Sequence, residues 1–381
     1  MSRQISFIAL FLSCIVASVA HAESGDPVAL IRLPGGGIKV ESMGGLSVVL
    51  ARDVQSAAVT LPSVILVHSA ADQKVDSPHV LLQIDGQLNL NHVWDRMPNA
   101  DTPTWKPATE NVQPSDNAFL VQGASEFGLI EVDGVRIAIV SSAKLGKERL
   151  DKIRHCDALV AFGTEAQETL KLAKQAAAKR LVVGPEMKID GATTWAGNTM
   201  PLSAKATQEA EVQVITLGEE SVVLSNEITD LIERKEASCR ASQKVFAELS
   251  VQQMNFRPAN GSHTPRWNAE HMMGRELLFF SQIFHAKDAT IPVIDLNPKQ
   301  MPPDYQAKHP DWTGAEEARQ MERVTAYVRR YSYLLKDMPL DEKAPSSRWA
   351  PRGLLKQMDR HYSEHTANVK LKFKLPGWPQ K

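Results

Sequence analysis

With 381 residues the chain is too long for one ordinary hydrophobic core, so two domains are expected. A formal net charge of -1 gives the molecule as a whole no electrostatic reason to seek nucleic acid or an anionic membrane. Beyond the leader, no stretch reaches the roughly 20 apolar residues that a membrane helix needs.

The first residues read as a targeting segment. Arg3 supplies a positive start, Ile5 to Val19 is apolar, and Ala20-His21-Ala22 is an A-x-A cleavage site, so residues 1–22 are expected to leave and the mature chain to begin at Glu23. The protein is therefore expected to be exported, periplasmic or secreted. Phe11-Leu12-Ser13-Cys14 has the outline of a lipoprotein signal, but with Phe where Leu is usual, and simple cleavage is preferred. Cys156 and Cys239 remain in the mature chain. An oxidising compartment would permit a disulfide between them, although two buried thiols is the plainer reading.

Residues 23–225 are expected to form a β-rich α/β domain. Val28 to Leu33 and Ile38 to Leu50 are rich in Val, Ile and Leu, with Gly35-Gly36-Gly37 between them as a turn. That glycine run lacks the trailing Gly-Lys-Ser/Thr of a phosphate loop, and no G-x-S-x-G elbow occurs. Val64 to Val67 is a short buried run. Leu88 to Asn117 is polar and contains proline, which predicts a long surface loop. Phe127 to Ser142 reads as a hairpin turning at Asp133-Gly134. A strand at Ala158 to Phe162 follows, then a helix from Glu165 to Lys179 capped by Thr164, then a strand from Arg180. Val212 to Leu217 and Val222 to Leu224 are expected as a final strand pair.

At Asn226 the apolar period lengthens from two to about 3.6, which marks the start of a helical domain over 226–373 with a short tail at 374–381. The first helix is expected over Asn226 to Gln253. Thr264-Pro265 opens a second that runs to about Ala286. A connection through Pro292, Pro298, Pro302, Pro303 and Pro310 leads to a third helix, capped by Thr313 and reaching about Lys336. The fourth begins between Ser347 and Pro351 and ends near Lys372. Four such helices most economically make a bundle, so the fold class is α+β with two domains. After Lys343 the chain is basic: Arg348, Arg352, Lys356, Arg360, Lys370, Lys372, Lys374 and Lys381 face only Asp359 and Glu364. Such a run is most simply a solvated face, and otherwise a means of attracting an anionic substrate or partner.

Among the histidines, His92, His155, His263, His285 and His309 are isolated and read as surface residues. His361 and His365 stand four apart on a helix, on a stripe shared with Leu354, Met358, Tyr362 and Val369, so both point inward. Two buried imidazoles need partners, and a divalent metal would satisfy both. His271 on the second helix is the best third ligand. Gly274, three residues on, would let a neighbouring helix approach closely. Three histidines leave coordination positions open, which suits a reactive metal better than a structural one.

These residues carry a resemblance. Arg266-Trp-Asn-Ala-Glu-His271, the Pro-rich crossing, and Asp359-Arg-His361-Tyr-Ser-Glu-His365 resemble the DinB family of four-helix bundles over about Asn226 to Phe373. The resemblance implies a divalent ion, zinc or nickel, held by His271, His361 and His365. It also implies a metal-dependent transferase that activates a thiol against a small electrophile, or a member without known activity; a hydrolase activating water at the same ion is the further enzymatic expectation, with pairing of bundles into a homodimer left open. Glu270, Asp359 and Glu364 flank the ligands and are candidate hydrogen-bond acceptors for them. The alternative is a non-catalytic, metal-stabilised binding or scaffolding module.

Upstream, Val64-Ile-Leu-Val-His68-Ser-Ala70-Ala-Asp72-Gln73 has the outline of the metallo-β-lactamase motif H-x-H-x-D-H with two ligands replaced, and His79 has no evident partner. Such a domain would be catalytically degenerate, since that chemistry depends on both ions. An unrelated α/β domain with a chance H-x-x-x-D is an equal reading.

Overall fold

The computed structural model describes residues 27–34, 37–42, 47–51, 63–67, 80–83, 92–95, 104–107, 118–124, 127–204 and 211–380, with side chains for 27–34, 37–42, 47–50, 128–204 and 211–380. The leader, His68, Ala70, Asp72, Gln73 and His79 lie outside the described residues.

The N-terminal part contains strands β1 (Val28–Arg32), β2 (Ile38–Glu41), β3 (Ser47–Ala51), β4 (Ser63–Val67), β5 (Val80–Gln83), β6 (His92–Asp95), β7 (Thr104–Pro107), β8 (Ala118–Ala124), β9 (Phe127–Val132) and β10 (Val135–Val140). Helix α1 (Lys147–Ile153), β11 (Ala158–Ala161), α2 (Ala166–Gln175), β12 (Arg180–Val183), β13 (Thr193–Trp195), β14 (Thr199–Leu202) and β15 (Gln213–Leu217) follow. They form two mixed sheets, ordered β14-β1-β2-β3-β4-β5 and β13-β15-β12-β11-β10-β9-β8-β6-β7.

Alternation along the strands assigns each face. On β10, Ile137 and Ile139 join Val28, Leu30, Val40 and Met200 in a core between the sheets. Ala138 and Val140 face the other way, onto Ile153, Leu172 and Ala173 of the two helices. The β9–β10 hairpin turns at Asp133 and Gly134 with φ of 51° and 75°, the paired left-handed geometry of a tight hairpin turn.

Several expectations need correction. The supposed loop at Leu88 to Asn117 contains β6 and β7, which pair antiparallel with Trp94 opposite Trp105. Ile38 to Leu50 is two strands rather than one. Thr164 does not cap α2: its hydroxyl bonds that of Thr169 at 2.5 Å, and Glu165 occupies the cap position without a side-chain bond. Val222 to Leu224 forms no strand, and Val223 is 83% exposed. The plainer reading of the cysteines holds: Cys156 and Cys239 are free, buried thiols, and burial pushes each up to about 12.

The C-terminal part is helical: α3 (Asn226–Ala247), α4 (Val251–Met254), α5 (Pro265–Lys287), α6 (Gly314–Tyr331) and α7 (Pro351–Lys372). The first helix ends at Ala247 rather than Gln253, because Ser250 and Gln253 close a capping box that starts α4 afresh. Past Tyr331 the third long helix tightens into a 3-10 turn, Ser332–Leu335. Ser225, Thr264 and Thr313 each accept a backbone N–H of the first turn of the helix they precede. The long helices α3, α5, α6 and α7 bury a shared core that includes Phe246, Phe280, Tyr327 and Leu354. The tail folds back: Trp378 packs against Phe256 and Phe373, and Gln253 donates to the Pro379 carbonyl at 2.9 Å.

Candidate metal centre

His271 lies in the second turn of α5, whose start is set by the Thr264 cap and Pro265. His361 and His365 lie one turn apart on α7. The two helices pack so that ligand atoms of all three rings lie within 4.8 Å of one another. Ring centroids are 5.0 Å apart for His271–His361 and His271–His365, and 4.4 Å for His361–His365. His361 is buried, while His271 and His365 remain partly accessible.

Burial first, and then the neighbouring His365 and Arg275, lower the His271 pKa to about 4. Burial, then His365 and His271, take His361 to about 3, and burial, then His263 and Lys372, take His365 to about 4. The cluster is therefore three neutral imidazoles at neutral pH, the form that ligates a metal.

Hydrogen bonding fits such a role. His365 Nδ1 donates to Asn268 Oδ1 at 2.7 Å, and the Asn268 amide is fixed by donating to the Thr264 carbonyl at 2.8 Å. The Nε2 lone pair of His365 is thus left for another partner. The Nδ1 atoms of His271 and His361 are buried without a hydrogen-bond partner among the described residues. Asn297 approaches His271 closely enough to favour its protonated form, yet its own Oδ1 is also unpaired by hydrogen-bond geometry. Orphaned nitrogens in a converging trio match the donor set of a divalent ion bound at about 2.0–2.1 Å.

The surroundings differ from expectation in three respects. First, none of the three flanking acids serves the histidines. Glu270 accepts from the Tyr305 hydroxyl at 2.7 Å and the Lys308 backbone at 3.3 Å, Asp359 bonds Ser238, and Glu364 pairs with Arg360 at 3.5 Å. Asn268 does that work for His365, and its position three residues before His271 on the same helix face was the available signal. Second, the segment that crosses at Gly274 is no helix but the Pro-rich connection. A Cβ on Gly274 would meet Asn297 Cα at 2.5 Å and its nitrogen at 2.7 Å. Third, two histidines read as surface residues are not. His263 stacks on Trp267 at 3.6 Å between centroids, and Trp267 stacks in turn on His271 at 4.4 Å. His309 is 6% exposed and stacks on Trp312. His285 and His155 are exposed, and the side chain of His92 lies outside the described residues.

A helical bundle with an inward cluster of three histidines defines the class of this C-terminal part. Residues 236–367 match the DinB superfamily, so the resemblance read from the two histidine segments holds. A comparison with curated proteins gives no match. Among solved structures, the metallo-beta-lactamase fold protein YhfI from Bacillus subtilis aligns over 42% of this chain and 86% of that chain, at 10% identity and a TM-score of 0.26. That score carries no argument about the N-terminal part. Among the described residues no helix is long and apolar enough to cross a membrane.

Proposed function

We propose that the bundle holds a divalent ion, zinc or nickel, through His271, His361 and His365, and that the chain acts as a metal-dependent transferase or hydrolase on a small electrophilic substrate. The observation that carries this reading is the convergence of three neutral imidazoles from two helices within 4.8 Å. A divalent ion there would supply a lowered pKa for a bound thiol or water. The protein's own residues do the rest. Asn268 holds His365 in one tautomer, and Trp267 stacks on His271 to hold its ring. Three protein ligands leave room for a substrate group, and the partial exposure of His271 and His365 gives access to it. We also take residues 1–22 as a cleaved signal, which makes the site one that works after export.

The test is metal content of the purified mature chain and of His361→Ala. We expect stoichiometric metal in the first and its loss in the second, with the helical circular-dichroism signal kept. A wild-type chain without metal after growth in zinc and nickel would overturn the reading. Unfolding on metal removal would favour the non-catalytic, metal-stabilised module instead.

A further inference from the structure

The Pro-rich connection between α5 and α6 runs back along one face of α5 and is fastened to it at even intervals. The Ser281 hydroxyl accepts the Ile294 N–H at 2.9 Å, the Asn297 backbone lies where a Cβ on Gly274 would stand, and Trp267 Nε1 donates to the Gln300 carbonyl at 3.1 Å. Trp267, Gly274 and Ser281 follow one another at intervals of seven residues, which puts them on one stripe of the helix. By helical rise the stripe from Trp267 to Ser281 is about 21 Å long, and the chain from Ile294 to Gln300 reaches about 20 Å when extended, so the two lengths match. His271 lies on the same face between Trp267 and Gly274, one turn from each, and thus beneath residues 297–300.

The Asn297 side chain points the same way. Its Nδ2 donates to the Pro298 carbonyl at 3.0 Å, which lays the amide forward along the connection, toward the turn that carries His271. Its Oδ1 is buried without a hydrogen-bond partner among the described residues, and so is His271 Nδ1. One is an acceptor and the other can carry a proton, so each is the partner the other lacks. Of the groups acting most strongly on His271, Asn297 alone favours its protonated form. The equivalent bond is already made elsewhere in the cluster, where His365 Nδ1 donates to Asn268 Oδ1 at 2.7 Å. We propose that Asn297 is the positioning residue of His271, accepting from its Nδ1 and turning its Nε2 to the metal, which makes the Pro-rich connection a wall of the site. This rests on the metal reading and extends it beyond the two helices that carry the ligands. With Nε2 given to an ion, the ring proton stays on Nδ1, where Asn297 Oδ1 takes it. Loading of the site and fastening of the connection therefore favour each other.

The test compares the full mature chain with Asn297→Leu, which removes the acceptor at similar volume, and Asn297→Asp, which keeps one. In histidine-selective nitrogen NMR of the zinc-loaded wild type, we expect His271 to hold its proton on Nδ1 in slow exchange with water, as His365 does. Asn297→Leu should bind zinc about 10–100-fold more weakly by chelator competition and should release the His271 proton to fast exchange, with the His365 signal unchanged. Asn297→Asp should match or exceed the wild-type affinity. Zinc should also slow backbone hydrogen exchange over residues 294–301 in the wild type and not in Asn297→Leu. Should Asn297→Leu fail to fold, Asn297→Ala decides the question. Wild-type affinity in the variant that lacks the acceptor, or a His271 Nδ1 proton that exchanges fast in the wild type, would overturn the proposal while leaving the metal reading intact. A chain that takes up neither zinc nor nickel would overturn both.

Discussion

Asn268 shows what a residue can do for a site it does not itself form. Its amide oxygen takes the proton of His365 Nδ1, and its nitrogen is tied to the Thr264 carbonyl, the same residue that caps α5. The helix start and the ring orientation are thereby one structure. Asn268→Ala should weaken metal binding by about 10–100-fold with little change in fold, as loss of an outer partner does elsewhere, measured by chelator competition. Gly274 acts by what it lacks. Any Cβ would press on the Asn297 backbone, so Gly274→Ala should cost about 1–3 kcal/mol and lower the unfolding midpoint, with metal affinity falling as the Pro-rich crossing shifts away from His271. The three histidines were legible because helical spacing and an apolar stripe determine direction. The flanking acids were misread because adjacency in sequence does not choose a partner. A carboxylate bonds whichever donor the fold brings near, and for Glu270 that is Tyr305, 35 residues away.

Between elements, the bundle core holds charge where periodicity predicts only apolar contact. Lys235 on α3 and Glu276 on α5 are fully buried and paired at 2.5 Å. Thr325 of α6 takes a second lysine bond at 2.6 Å, and the Tyr362 hydroxyl of α7 donates to the other glutamate oxygen at 2.6 Å. One network thus touches all four long helices and adjoins His361 through Tyr362. Breaking it should be costly: Lys235→Met strands a buried carboxylate, and about 3–5 kcal/mol of stability should be lost. Adding Glu276→Leu should restore much of that, a coupling measurable by denaturant unfolding. A result in which the single substitution is silent would remove the network from the account of the bundle. Strand elements fared less evenly in the sequence. β6 and β7 were hidden because short strands of mixed polarity lack the alternation that reveals a half-buried sheet. Val222 to Leu224 failed the opposite way: it is apolar, yet the chain there runs on to the Ser225 cap of α3, with Leu224 on the bundle core and Val222 against Gly197.

At the scale of the molecule, β1 joins the two parts. Val28 and Leu30 enter the core between the sheets, while Ala29 and Ile31 face the bundle core. The bundle therefore packs on the face of β1 and β2 that turns away from the core between the sheets. Arg330 of α6 seals this contact, paired with Glu41 of β2 and donating to the Ser42 carbonyl at 3.3 Å. Burial alone would raise the Glu41 pKa, but Arg330 and Lys39 outweigh it and hold the carboxyl below its ordinary 4.5. A carboxyl released from this contact binds protons more readily than one held in it. Docking is thus fully supported above 4.5 and weakens as pH falls through that value toward the lower docked pKa. Hydrogen exchange in β1 and β2, corrected for intrinsic rate, should show protection lost as pH falls below 4.5. Arg330→Met should abolish or invert that dependence, because the burial of Glu41 is then opposed by Lys39 alone, and an unchanged profile in the variant would assign the transition to another group.

The amino-acid sequence determined the β-rich to helical transition at Asn226, the helix starts at Thr264 and Thr313, and the three inward histidines, because caps and periods act over a few residues. Tertiary structure alone decided that Asn268 rather than an acid steadies His365, that the Pro-rich crossing fills the space above Gly274, and that His263 lies against Trp267. Those outcomes depend on which distant groups compete for the same donor or the same volume, and that competition exists only once the chain is packed.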